Sequence, residues 1–187
     1  MDCQKFVENC LAEVGIKKDL AGSNTWYRYI TWKGTPEECK QKFGRIPPGA
    51  FLFILEHDGK EPEQYRHDGI GNASHIGIYT AVKGSEMVRI AEDAGNSNAA
   101  KWDYGDGAIH SSASREHVCT SKFAGKSING GWNRIGLWDV LSYGDDIDGI
   151  LNGKEKDGGA GEMMIATVVA DSGETVNMRR SASTKGA

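Results

Sequence analysis

A chain of 187 residues that is 39% hydrophobic and 26% charged can bury a core, and it suits one domain with something small attached. Its net charge of -4, with lysines and arginines scattered along the chain, excludes the electrostatic footprint of a nucleic-acid binder. No apolar run approaches the roughly 20 residues of a membrane span, and no basic-then-apolar leader opens the sequence.

The first element is carried by MDCQKFVENCLAEVG. Phe6, Val7, Cys10, Leu11 and Val14 recur at helical spacing, which predicts an amphipathic helix over residues 3 to 14 with Gly15 as its stop. Asp2 is placed to cap the amides of the first turn, leaving Cys3 at about the first helical position. The following segment, IKKDLAGSNTWYRYITWKG, carries no assignable period. TPEECKQKFG predicts a second, short helix: Thr35 caps it, Pro36 opens it, Glu38 completes a capping box and Gly44 follows its end.

PPGAFLFIL turns into an apolar, β-prone run from Ala50 to Leu55, a buried strand, followed by a long polar loop from Glu56 to Ser74. HIGIYTAV is the clearest strand. Its alternation sets His75, Gly77 and Tyr79 on one face and Ile76, Ile78 and Thr80 on the other. MVRIAEDA, GAIHSSAS and GLWDVLSYG read as further strands. The 25 glycines fit many turns between short strands. Helices first and strands after predict an α+β fold, with a mostly antiparallel sheet packed against the N-terminal helix. Residues 144 to 162 are rich in Gly, Asp and Lys, and a boundary falls near Asn152. Beyond it, MMIATVVADSGETVNMRRSASTKGA reads as two strands around a glycine turn, too short to bury a core alone.

The chemistry starts from the cysteines. Cys3 and Cys10 lie about 10 Å apart along one helix, beyond the roughly 7 Å that a disulfide spans, and no C-x-x-C pair suggests a zinc site. Cys10 faces inward with Phe6 and Val14, the ordinary role of a helical cysteine as a small hydrophobe. Cys3 sits at the positive end of the helix, where amides and dipole favour a thiolate and are expected to lower its pKa. A thiol nucleophile also needs a base. His75 opens the clearest strand, and His110 in AIHSSAS falls on a candidate neighbour from which it would orient the imidazole. On spacing alone, either histidine taken by itself reads first as a polar residue on a strand's solvent face. His57, His67 and His117 fall in loops or near turns and read as surface residues, and Tyr79 and Trp102 read as core or groove aromatics.

The motifs DCQKFVE, SHIGIYTA and AIHSSAS, in that order over residues 2 to 143, resemble the NlpC-type family of cell-wall cysteine peptidases. The resemblance implies a papain-like α+β fold with Cys3 as nucleophile, His75 as base and His110 as the orienting third residue. It implies hydrolysis of peptidoglycan stem-peptide bonds, typically between γ-D-glutamate and the following diamino acid, by a monomer with no metal or cofactor. With no visible leader, synthesis is expected in the cytoplasm and action at the wall or outside the cell. Family members carry a segment with an aromatic residue before the cysteine. Residues 1 to 152 are therefore expected to be a peptidase domain shortened at its N-terminus, with an insertion around Glu92 to Gly107. Residues 153 to 162 read as a linker. ATVVADSGETVNMRRSAST resembles the opening strands of a bacterial Src-homology-3-like wall-binding domain, cut off after T-V-N-M-R, so residues 163 to 187 are expected to be its truncated start. Within the same superfamily the alternatives are an N-acetylmuramoyl-L-alanine amidase or an acyltransferase. Outside it stands a catalytically inactive wall-binding protein.

Overall fold

The structure, a computed structural model, describes residues 2–80, 107–112, 117–123, 131–153, 164–169 and 175–180. The expected strand MVRIAEDA, the stretch from Glu92 to Ala100 with Trp102, and most of the expected linker lie outside the described residues.

Local signals formed the helices they predict. Helix α1 spans Cys3–Glu13, and Asp2 caps it by accepting a hydrogen bond from the Lys5 amide at 2.7 Å. Its apolar stripe, Phe6, Val7, Cys10, Leu11 and Val14, is buried. Helix α3, Pro36–Phe43, begins with a reciprocal capping box. Thr35 Oγ1 accepts from the Glu38 amide at 3.1 Å, and Glu38 Oε2 accepts from the Thr35 amide at 2.6 Å. Gly44 ends it in the left-handed region at φ 77°, open to glycine at little steric cost.

The segment with no readable period contains helix α2, Ser23–Tyr29, and strand β1, Trp32–Gly34. Tertiary contacts hold α2. The Arg28 guanidinium bonds Asp68 at 2.5 and 3.1 Å and the Gly71 carbonyl at 3.1 Å, and it lies 4.1 Å from the centre of the Tyr65 ring. Asn24 Nδ2 donates to Asn72 Oδ1 at 2.9 Å, while Asn24 Oδ1 accepts from the Ala73 amide at 2.9 Å. The chain between α1 and α2 is pinned by Glu8, whose buried carboxylate accepts from the Leu20 amide at 3.0 Å and the Trp26 indole at 3.4 Å.

The remaining strands are β2 Phe51–Glu56, β3 Asn72–Thr80, β4 Gly107–Ser112, β5 His117–Lys122, β6 Arg134–Leu137, β7 Leu141–Ser142, β8 Met164–Val169 and β9 Thr175–Arg180. A 3-10 turn at Glu63–Tyr65 interrupts the polar loop before β3. Six strands form one sheet in the order β1-β6-β2-β3-β4-β5, every described pair antiparallel. The fold is thus mixed α+β. Strands β2 and β3 are central, so Phe51 to Leu55 and His75 to Thr80 are buried on both faces rather than alternating with solvent. Helix α1 packs on β3 and β4, and α2 packs on β3. Trp26, fully buried, stacks on Phe51 with centroids 5.9 Å apart and meets Trp138 edge-on at 5.7 Å. Burying such a side chain contributes about 2 kcal/mol.

The structure corrects one sequence expectation. GLWDVLSYG is not one strand. A turn at Trp138 to Val140 separates β6 from β7, closed by the Leu141 amide on the Trp138 carbonyl at 2.9 Å and by Tyr143 Oη accepting from the Trp138 amide at 3.0 Å. His117 opens β5, paired with Ser112 of β4. The polar stretch after Gly144 begins with helix α4, Asp145–Leu151, whose first-turn aspartates complement the helix dipole. The Asp148 carboxylate turns back to accept from the Tyr143 amide at 2.8 Å. Strands β8 and β9 form an antiparallel hairpin, and β9 pairs with β7, Leu141 opposite Arg180. Among the described residues no helix is long and apolar enough to cross a membrane.

Candidate active site

His75 is placed by an irregularity in β3. Ile54 of β2 pairs with His75 but Leu55 pairs with Ala73, so Ser74 is an extra residue bulged out of the ladder. Such bulges re-aim the side chains that follow them. His110 lies on the adjacent strand β4, and the two rings meet directly, His75 Nε2 to His110 Nδ1 at 2.7 Å with ring planes at 90°. Both residues are buried, His75 at 9% exposure and His110 at 1%.

Gly77 makes room for this contact. A Cβ on Gly77 would stand 2.9 Å from Trp132 Cη2, 3.0 Å from the Ile109 carbonyl oxygen and 3.1 Å from His110 Cβ. Trp132 lies over the histidine pair, stacked on His75 with centroids 5.2 Å apart and edge-on to His110 at the same separation. Its indole N–H donates to Ser121 Oγ on β5 at 2.8 Å. The next residue, Asn133, holds the loop by bonding both the amide and the carbonyl of Leu55 at 2.8 Å. Opposite His110 across β4 and β5 stands Cys119, its sulfur 3.6 Å from His110 Nε2.

Cys3 begins α1, half-buried, and the backbone of Ile76 is among the groups that act on its thiol. That residue directly follows His75 on β3. The expected lowering of the Cys3 pKa does not occur. Burial pushes the thiol above its ordinary value and the Asp2 carboxylate adds to the shift, while backbone hydrogen bonds from Ile76, Gln4 and Cys3 itself pull downward without prevailing. Burial acts oppositely on the imidazole, lowering His75 to about 4. Thiol and imidazole therefore both rest neutral near pH 7, and the site stores a proton on sulfur until something removes it.

The structure brings His75 and His110 together and sets Cys3 against the backbone beside His75. Cys10 is a core residue as expected, His57 and His67 are exposed, and Tyr79 is buried against Phe123 with centroids 5.3 Å apart. All four cysteines are free thiols. Trp132 and Cys119 carry no sequence signal that marks them as neighbours of His110. Gly77 does carry one, since a glycine on the His75 face of a strand marks a close approach. Among the described residues no group of three or more His, Cys, Asp or Glu side chains is arranged to hold a metal ion. Comparison with protein-family models, with curated proteins and with solved structures finds no match.

Proposed function

We propose that this chain is a cysteine peptidase of the NlpC-type, papain-like class that hydrolyses amide bonds in peptidoglycan stem peptides. The observation that carries the reading is the buried 2.7 Å bond from His75 Nε2 to His110 Nδ1. A bond through Nε2 leaves Nδ1 as the nitrogen with which His75 would address a thiol, and the backbone of the very next residue acts on the Cys3 thiol. A neutral imidazole whose second nitrogen is anchored is what general-base catalysis requires.

In the proposed reaction, His75 Nδ1 takes the Cys3 proton as the sulfur attacks the scissile carbonyl. The tetrahedral intermediate collapses, the amine leaves with the proton held on His75, and a thioester remains. Water, deprotonated by His75, then hydrolyses that thioester and releases the acid. Oxyanion stabilisation falls in this reading to the Cys3 backbone amide at the start of α1. Because the resting pair is neutral, proton transfer accompanies substrate attack instead of preceding it. The bond cleaved is proposed to be γ-D-glutamyl to diamino acid. The T-V-N-M-R motif, on strand β9, supports reading the tail as part of a wall-binding module.

Digestion of purified peptidoglycan tests the proposal. New amino termini are expected, their mass spectra showing whether the cut is endopeptidic or at the muramoyl amide, and Cys3→Ala is expected to abolish them. An intact wall after prolonged incubation with well-folded protein overturns the reading.

A further inference from the structure

We propose that Cys119 is a positioning residue, whose sulfur accepts the Nε2–H of His110 and so holds that ring in the tautomer able to receive a hydrogen bond from His75. The inference rests on the reading of His75 as a base.

A neutral imidazole carries one N–H, so the two contacts of His110 are coupled. Its Nδ1 lies 2.7 Å from His75 Nε2, and its Nε2 lies 3.6 Å from Cys119 Sγ. With the hydrogen of His110 on Nε2, Nδ1 accepts from His75 Nε2–H. The lone pair of His75 is then on Nδ1, the nitrogen that must take a proton. With the hydrogen on Nδ1, His110 donates into His75 Nε2 instead. That forces the hydrogen of His75 onto its own Nδ1, where it blocks the base. The tautomer of the third residue thus decides whether the second can act, and the sulfur stands at the atom that sets it.

The register makes this placement structural. His110 and Cys119 are directly opposed partners in the β4–β5 ladder, so their side chains project from the same face of the sheet. Both are 1% exposed, which keeps water from competing for Nε2. A thiol suits the position: it is a weak acceptor that brings no formal charge to the ring, whereas a carboxylate there would favour a second proton on it.

The test uses the full chain with 15N-labelled histidine, the His110 ring signals being assigned by their loss in His110→Asn. Wild-type protein is expected to show His110 as the Nε2–H tautomer. Cys119→Val, which fills the space without a comparable acceptor, is expected to shift His110 to a tautomer mixture and to lower kcat for wall hydrolysis roughly 10-fold with KM little changed. Cys119→Ser, which keeps an acceptor, should restore both. Should Val fail to fold, Cys119→Ala gives the same comparison. An Nδ1–H tautomer in wild type, or a valine variant with unchanged tautomer and kcat, overturns the proposal. The ring signals report on it even if wild-type protein leaves the wall intact, so its failure is separable from failure of the peptidase reading.

Discussion

Gly77 and His110 face each other across β3 and β4 so closely that a methyl group on Gly77 would stand 3.1 Å from His110 Cβ. The diagonal bond between His75 and His110 passes over this gap, and the Trp132 ring fills what remains. Gly77→Ala should therefore displace both Trp132 and His110. A loss of about 1–3 kcal/mol in stability is expected from the overpacking, with a fall of roughly 10-fold or more in wall hydrolysis from the misplaced rings. Thermal unfolding and activity measured side by side check this. An alanine variant with unchanged Tm and unchanged rate contradicts the packing described here.

Burial of His75 links pH to stability. An unfolded imidazole titrates near 6.5 and this one near 4 when folded, so between those values the unfolded chain binds a proton that the native chain refuses. The contribution is present in full above pH 6.5 and is lost as pH falls toward 4, by up to about 3 kcal/mol. Urea titrations across this window should show the decline in wild type and a shallower one in His75→Gln.

The same shift sets the acid limb of catalysis. The base works only when neutral, so kcat/KM is expected to hold down to a midpoint near pH 4 instead of falling near 6.5. Cys3, pushed upward by burial, should react with iodoacetamide at pH 7 more slowly than a free thiol does. A limb at 6.5, or rapid alkylation of Cys3, would show a more solvated site than this one.

Glu8 is a structural acid. Burial alone pushes its carboxyl up, but hydrogen bonds from the Leu20 amide and from the Gln4, Trp26 and Lys5 side chains outweigh it and hold the group below its ordinary value. Glu8→Ala strands the buried Trp26 N–H and the Leu20 amide, and a cost of about 2–3 kcal/mol is expected. Glu8→Gln, which keeps one acceptor oxygen, should cost less. Chemical denaturation of both variants ranks them.

Arg28 binds α2 to the loop that leads into β3. Its fork on Asp68 and its reach to the Asn24 and Gly71 carbonyls need a planar, multi-donor head, so Arg28→Lys is not conservative. A loss of about 2 kcal/mol is expected, seen as a Tm lowered by about 4–8 °C. An unchanged Tm would mean that the loop holds itself.

Elements governed by contacts within a few residues were legible in the sequence. Asp2 and Thr35 with Glu38 announced α1 and α3, and the alternation in HIGIYTA announced β3. Helix α2 was not legible, because its supports at Asp68, Gly71 and Asn72 lie forty or more positions away. Nor was the break in GLWDVLSYG, where Tyr143 Oη closes a turn that an apolar run conceals.

The sequence by itself determined that a cysteine begins a capped helix and that two histidines sit in strand-forming stretches, since caps and period-two alternation are short-range effects. Only the tertiary structure decided what those groups become. Strand pairing lays His110 against His75 and Cys119 against His110, and the loop before β6 folds Trp132 over the pair. The protonation of the site was decided there too. The helix terminus favours a thiolate through a few nearby amides, but desolvation is summed over every group packed around the sulfur, and in this fold that larger sum prevails.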